Sequence, residues 1–149
     1  MDVSLKWGVR VKKITQEMIK DFKIMKLGYD FMGYPITSKK GLSFHHLIVP
    51  HRLCRQEGIP AEGFVYWNGA ILRQNTSHDY LHAIEHVDLD IFNAITSEMI
   101  DINTKGYLDP MNLRYIDDCL DSFERDYSHL KTKKGKSLIK YEYTIRNKF

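Results

Sequence analysis

Six of the seven histidines in this chain fall between residues 45 and 86, and their spacing indicates metal chemistry. His45 and His46 are adjacent within LSFHHLIVPHR, a segment rich in strand-forming residues. Side chains alternate between faces along a strand, so the two imidazoles should point in different directions. His78 and His82 are four residues apart, a spacing that puts two side chains on one face of a helix. Imidazoles arranged in this way are ready ligands for a divalent metal ion.

His86 continues the four-residue spacing and leaves two interpretations of the helical pair. On a helix, His78 and His86 would lie about 12 Å apart along the axis, too far to bind one small ion together. The pair is therefore His78 with His82, or His82 with His86. The two remaining histidines, His51 and His129, are expected to be ordinary surface residues.

The elements that must position these side chains begin with a basic segment. Alternation in WGVRVKKI predicts a short strand. Residues 15–26 predict a helix that Thr15 caps and Gly28 ends. Residues 29–41 are interpreted as turns, and residues 42–49 as a strand.

A second strand and three helices are predicted to follow. Residues 50–62 predict a loop, after which FVYW predicts a strand. Asn68-Gly69 predicts a turn or bulge, and AILRQ continues extended. Helices are expected to begin near Thr76 or Ser77, at Asp88, and at Asp109 followed by Pro110.

Two of these helices carry apolar residues at helical spacing, which predicts their buried faces. These residues are Phe92, Ile95, Met99 and Ile102 in one helix, and Leu113, Ile116, Leu120 and Phe123 in the next. The order of elements predicts an α+β fold, mostly helical, in a single domain of 149 residues.

Three motifs in the middle of the chain, FHHLIVP, WNGAIL and NTSHDYLHAIE, together resemble the signature of the HNH endonuclease family. The resemblance covers residues 42–86 and extends loosely to the helices that follow. It implies a ββα-metal (His-Me finger) fold that binds one divalent ion, with Mg, Mn, Zn and Ni all open. Small nucleases of this kind are typical of phages and other mobile elements.

The resemblance also implies a role for each matching residue, and it favours His78 over His86 as the first helical ligand. By this match His45, His78 and His82 would hold the metal, His46 would be the general base, and Asn68 would brace the catalytic loop. A neutral imidazole with a pKa near 6.5 can accept a proton from water at cellular pH. Three protein ligands leave positions open for phosphate and water.

The chain departs from the family pattern in two ways. His46 and Asn68 are separated by 22 positions, which is long for this motif, and RLCRQEGIPAEG lies between them as an inserted loop. The cysteine pairs that many relatives use for a second zinc ion are missing. Asn75 is an alternative to Asn68, or a helix cap.

Charge is distributed unevenly along the chain. Residues 1–40 carry nine Lys or Arg against four acids, residues 76–130 three against twelve, and residues 131–149 seven against one. Basic ends are expected to hold a polyanion such as DNA, although an acidic helical face and a basic tail also simply favour solubility. The residues proposed to contact phosphate are Arg52, Arg55, Arg73, Lys133, Lys134 and Lys136.

The sequence therefore divides into four predicted segments. These are a basic strand and helix segment at 1–41, the ββα-metal core at 42–86, a helical extension at 87–130 and a basic tail at 131–149. Cys54 and Cys119 lack CxxC spacing, and the chain has neither a long apolar run nor a signal peptide. These features predict a location in the cytoplasm of a bacterium or a phage-infected host, with no membrane partner.

Two functions are compatible with this pattern. The first is a metal-dependent DNA endonuclease that hydrolyses phosphodiester bonds with a histidine general base. The alternative is a protein that keeps the HNH scaffold but acts through protein contacts, for example as a mobile-element inhibitor of a host defence nuclease. A purely structural zinc site would explain the ligands but would leave His46 without a role.

Overall fold

The computed structural model describes residues 3–47, 69–127 and 129 of the chain. The described residues form α-helices and one two-stranded antiparallel sheet, so the predicted α+β class is confirmed. In chain order the elements are α1 (Val3–Asp21), α2 (Ile24–Leu27), β1 (Leu42–His46), β2 (Gly69–Arg73), a π-helical turn (Gln74–His78), α3 (Asp79–Val87), α4 (Leu89–Lys105) and α5 (Pro110–Tyr127).

α1 is helical from Val3 to Asp21, so the strand predicted in WGVRVKKI is wrong. Thr15 lies inside α1 and does not cap it. A short alternation is weak evidence for a strand, and the Arg and Lys residues within it are good helix formers that allow the helix to extend towards the N-terminus. Gly28 does end the helical segment, as predicted: its φ is 84° and its N–H donates to the Ile24 carbonyl at 2.8 Å.

The two strands pair with Leu42 opposite Arg73 and His46 opposite Gly69. β1 ends at His46, earlier than predicted, and the chain bends at Leu47. Gly69 is the first residue of β2, which corrects the turn or bulge predicted at this residue, whereas Asn68 lies outside the described residues. The lack of a side chain at Gly69 has a local reason, because the ring of Phe44 occupies the space where a Cβ would project.

Helices cover the sheet and stabilise it. Ala70, Ile71 and Leu72 in β2 are fully buried, because α1 packs against both strands and α4 packs against β2. A two-stranded sheet is marginally stable by itself in water, so this packing against helices is what makes the hairpin stable.

The helical half of the chain agrees with the predicted caps. Asp88 accepts a hydrogen bond from the Ile91 N–H at 3.1 Å, and α5 begins at Pro110 after Asp109. In the described part of the chain, no helix has the length and apolar character needed to cross a membrane. All the predicted buried residues of α4 and α5 are buried except Phe92, which is partly buried: Ile95, Met99, Ile102, Leu113, Ile116, Leu120 and Phe123.

Candidate metal centre

Three imidazoles from three different elements converge on one point. His45 comes from β1, His78 is the last residue of the π-helical turn, and His82 lies one turn further along in α3. One ring nitrogen of each lies within 4.8 Å of the other two, so the group could hold a metal ion. The ring of His45 is 5.3 Å from that of His78 and 5.5 Å from that of His82, centroid to centroid.

The two adjacent histidines of β1 point in different directions. His45 is buried and its ring faces His78 and His82. The ring of His46 instead packs edge-on against Phe44, two residues earlier on the same face of the strand, with centroids 5.0 Å apart. The alternation of a strand thus separates the two imidazoles.

The chain between β2 and α3 forms a π-helical turn, and the predicted cap at Thr76 or Ser77 is wrong. Ser77 is fully buried, and its Oγ accepts a hydrogen bond from the Arg73 N–H at 3.0 Å. The same hydroxyl donates to the carboxylate of Asp30. A π-helical turn fits one more residue into the turn than an α-helix does, so this turn sets the direction in which the next residue, His78, projects.

Asp30 is a buried carboxylate that joins three parts of the structure. It accepts hydrogen bonds from the backbone N–H groups of Met32 at 2.9 Å, Tyr34 at 3.1 Å and Arg73 at 3.0 Å, in addition to the Ser77 hydroxyl. Burial raises the pKa of Asp30, and these hydrogen bonds act in the opposite direction. The carboxylate therefore fixes the end of β2 and the π-helical turn to the loop after α2.

The sequence pattern predicts only turns over residues 29–41 and therefore gives no role to Asp30. A local signal was present, because an Asp near a turn glycine such as Gly33 often accepts hydrogen bonds from the backbone of its own turn. Its bonds to Arg73 and Ser77 span more than forty positions in the chain and have no local signal.

The surroundings favour neutral imidazoles. Burial, together with the nearby His78, His82 and His46, lowers the pKa of His45 to about 3. Burial, followed by the proximity of His82, also lowers the pKa of His78. Neutral imidazole is the form that offers a lone pair to a metal ion, so both residues are in the ligating state at neutral pH.

The distances are compatible with a small ion. Two nitrogens bound to one tetrahedral zinc ion at about 2.0–2.1 Å are about 3.3 Å apart. The Nε2 atoms of His78 and His82 are 3.2 Å apart. The Nε2 atom of His45 is buried and makes no hydrogen bond in the described structure, so it too has a lone pair or proton to satisfy.

Two carboxylates lie behind the helical ligands. Glu85 Oε1 is 3.4 Å from the Nδ1 atom of His82, and Asp79 Oδ1 is 3.7 Å from the Nδ1 atom of His78. A carboxylate beside Nδ1 favours the proton on that nitrogen and leaves the Nε2 lone pair for a metal ion. Neither acid was identified from the sequence.

The start of β2 is held from the other side by a residue that sequence reasoning also missed. The side-chain amide of Asn103, in α4, donates to the Gly69 carbonyl at 2.6 Å. Gly69 pairs with His46 across the sheet, so this bond stabilises the strand end next to His46. The contact joins positions 34 residues apart in the chain and has no local signature.

The other predicted site residues have different placements. His86 is exposed and outside the three-histidine cluster, and His129 is also exposed. Arg73 is partly buried, and its Nη1 donates to the Pro35 carbonyl at 2.8 Å. Six predicted residues lie outside the described part of the chain: Asn68, Arg52, Arg55, Lys133, Lys134 and Lys136.

Comparisons with family models, with curated proteins and with solved structures find no match to this chain. Functional inference therefore depends on the site geometry and on the motifs themselves.

Proposed function

We propose that the protein is a metal-dependent DNA endonuclease of the HNH type, with β1, β2 and the helical segment after them forming a ββα-metal core. One observation supports this most directly. Three imidazoles converge on one point, while the next residue of β1, His46, faces another direction. A structural zinc site needs the first feature only, whereas hydrolysis needs both.

Phosphodiester hydrolysis gives a reason for the two directions. In an in-line displacement, the attacking water and the leaving oxygen lie on opposite sides of the phosphorus. A bound divalent ion would polarise the phosphate and stabilise the leaving oxygen. His45, His78 and His82 would hold that ion, and His46 would take the proton from the water.

The protonation state of His45 and the position of His78 suit their proposed roles as metal ligands. His45 has a pKa of about 3, so protons do not compete with metal at neutral pH. The hydrogen bonds of Asp30 and Ser77 hold the π-helical turn that ends at His78, so this ligand is positioned before metal binds. The ligand set therefore requires little rearrangement on binding.

The direct test is cleavage of supercoiled plasmid DNA by the full-length chain. We expect nicked or linear DNA in the presence of Mg²⁺, Mn²⁺, Ni²⁺ or Zn²⁺, and intact plasmid when a chelator is added. Conversion should depend on protein concentration and should return when excess metal is restored. Plasmid that stays intact with every ion, although the protein binds metal, would reject the endonuclease proposal.

A second candidate, a binding protein built on the same scaffold, is favoured by one surface feature. Met111 and Tyr115 lie one turn apart on α5 and are 69% and 53% exposed. Large exposed apolar side chains of this kind are common at protein interfaces. If Met111→Ser/Tyr115→Ser removed the biological effect of the protein while plasmid cleavage remained normal, the binding function would be favoured.

A further inference from the structure

A groove lined by lysines lies between α1 and β1. Its first part has a volume of about 420 Å³ and lies between Lys12 and Gln16 of α1, Lys39 of the preceding loop, and Ser43 and Phe44 of β1. A second depression, of about 330 Å³, continues from it and shares Gln16 and Lys39. The residues lining both parts include five lysines and no acid: Lys12, Lys20, Lys23, Lys26 and Lys39.

Two of the five lysines, Lys12 and Lys20, lie on one face of α1. Positions 12, 16 and 20 are spaced by four residues and therefore form one stripe along the helix. The exposed acids of this region, Glu17 and Asp21, are in the next stripe, roughly 100° around the helix, and do not line the groove. The groove is therefore more basic than the whole segment.

The backbone at Lys23 is a second, independent observation. Lys23 has φ 55° and ψ 38°, and among the described residues no other residue except glycine has a positive φ. The left-handed conformation costs free energy for a residue with a long side chain, and glycine or asparagine would adopt it more easily. Lys23 nevertheless lines the second depression, so this strained position supplies one of the five positive charges of the groove.

The first part of the groove is lined by two of the elements that carry the candidate metal ligands. Ser43 and Phe44 belong to β1, which also carries His45. Gln74 begins the π-helical turn that finishes at His78. A strand lying in the groove would therefore pass beside the elements that carry two of the three imidazoles.

We infer that this lysine groove binds the phosphate backbone of a nucleic acid strand and guides it to the metal centre, an inference that rests on the proposed function. From Lys12 to Lys20 the helix rises about 12 Å, a length that corresponds to three to four nucleotide steps along the axis of a DNA duplex at about 3.4 Å each. Lysines that contact phosphates give affinity without base preference. The groove should accordingly bind all sequences alike.

The test compares a groove variant with a matched control. The groove variant is Lys12→Gln/Lys23→Asn/Lys39→Gln, in which asparagine tolerates the left-handed backbone at position 23. The control is Lys13→Gln, because Lys13 is also exposed on α1 but does not line the groove. Neither variant should unfold at a lower temperature than the parent protein, since all four lysines are exposed and asparagine relieves the left-handed backbone at position 23.

Affinity for a duplex DNA oligonucleotide is measured over a range of salt concentrations, with a chelator present to prevent cleavage. The slope of log K against log salt should become shallower by about 0.9 for each phosphate that the protein no longer neutralises, and so by about 2 to 3 for the groove variant. The control should keep a slope within about 1 of the parent value. A parental slope in the groove variant, or an equal change in the control, would overturn the inference.

Two further measurements separate this inference from the proposed function. Hydrolysis of bis(4-nitrophenyl) phosphate needs the metal centre but no groove, so the groove variant should keep the parent rate with this small diester. Absence of that activity in the parent would count against the endonuclease, while the salt slopes still test the groove. Loss of binding to phosphatidylserine vesicles with unchanged DNA binding would assign the groove to a membrane surface and overturn the inference.

Discussion

The Nε2 atoms of His78 and His82 are 3.2 Å apart, one helical turn from each other on the same side of the segment that follows β2. Without a metal ion, this distance requires a proton on one of the two nitrogens, since two lone pairs directed at each other repel. A divalent ion would take the place of that proton. The pair is therefore expected to exchange that proton for a metal ion, and in neutral imidazoles the proton moves to the Nδ1 atom of the same ring, beside a carboxylate.

This exchange leads to a first prediction about metal affinity. Replacing His45, His78 or His82 with Ala should weaken binding of one divalent ion by more than the roughly 10–100-fold that loss of an outer-shell partner costs. Calorimetric titration measures this directly. His86→Ala is the matched control, because His86 is on the same helix but outside the cluster. A larger effect from His86 than from His78 would shift the ligand pair by one turn.

His46→Ala should separate catalysis from metal binding. Its ring packs against Phe44 and lies outside the three-histidine cluster, so metal affinity should remain within about twofold. Plasmid cleavage should fall by about 10²–10⁴-fold, the usual contribution of a general base. A parallel loss of metal affinity would show that His46 is a ligand instead.

The buried His45 predicts how the metal-free protein responds to acid. Its pKa is about 3 in the folded protein and near 6.5 when unfolded, so the unfolded state binds more protons between these values. The stability contributed by neutral His45 is complete above pH 6.5 and is lost as the pH falls towards 3. His45 contributes at most about 1.4 kcal/mol per pH unit to the slope of the free energy of unfolding against pH.

Urea unfolding with a chelator, measured from pH 7 to pH 4, checks this expectation against His45→Gln. The free energy of unfolding should fall less steeply with acid in the variant. Asp30, whose pKa is raised, acts in the opposite direction but is present in both proteins and cancels in the difference. Identical slopes would show that His45 is not held neutral.

Asp30→Ala should be the most damaging change outside the cluster. It would remove the Asp30 acceptor from the backbone N–H groups of Met32 and Tyr34 and from the buried Ser77 hydroxyl, at a cost of at least about 3 kcal/mol in the free energy of unfolding. Ser77→Ala removes one hydroxyl and should cost about 1 kcal/mol, because Arg73 N–H keeps its bond to Asp30. Equal losses in the two variants by urea unfolding would contradict this assignment.

Gly69→Ala should disturb the end of β1. A Cβ at this position would collide with the ring of Phe44, which contacts His46. We expect a loss of about 1–3 kcal/mol in stability, together with reduced cleavage, because displacement of Phe44 moves the proposed base. The double variant Gly69→Ala/Phe44→Leu should recover stability, since leucine vacates part of the space. If the double variant does not recover stability, the loss in Gly69→Ala comes from the backbone at position 69 and not from the contact with Phe44.

Local patterns in the sequence were sufficient for the helical half of the molecule. Asp88 and Asp109 begin α4 and α5 as expected, and the stripe from Ile95 to Ile102 is buried. Caps and apolar periodicity act within one or two turns, so they can be recognised without knowledge of the fold. The spacing of His78 and His82 belongs to the same class of signal, and the structure brings both next to His45.

The wrong predictions came from weak local signals that the rest of the chain overrode. The alternation in WGVRVKKI predicts a strand, but these residues are part of α1. Thr76 and Ser77 are predicted as helix caps, but both lie inside a π-helical turn. Ser77 is not a cap because its buried hydroxyl donates a hydrogen bond to the carboxylate of Asp30, 47 positions earlier in the chain. A side chain that has two possible partners bonds to the one that the fold brings close.

By itself, the sequence determined the α+β class, the caps and buried stripes of α4 and α5, and the candidate histidines, because each depends on residues a few positions apart. Only the tertiary structure decided which face of β1 meets α3, and that Asp30 and Asn103 hold the two ends of β2. The convergence of three ring nitrogens within 4.8 Å depends on those distant contacts. Long-range hydrogen bonds and packing join residues that have no pattern in common along the chain, so their partners become evident only once the chain is folded.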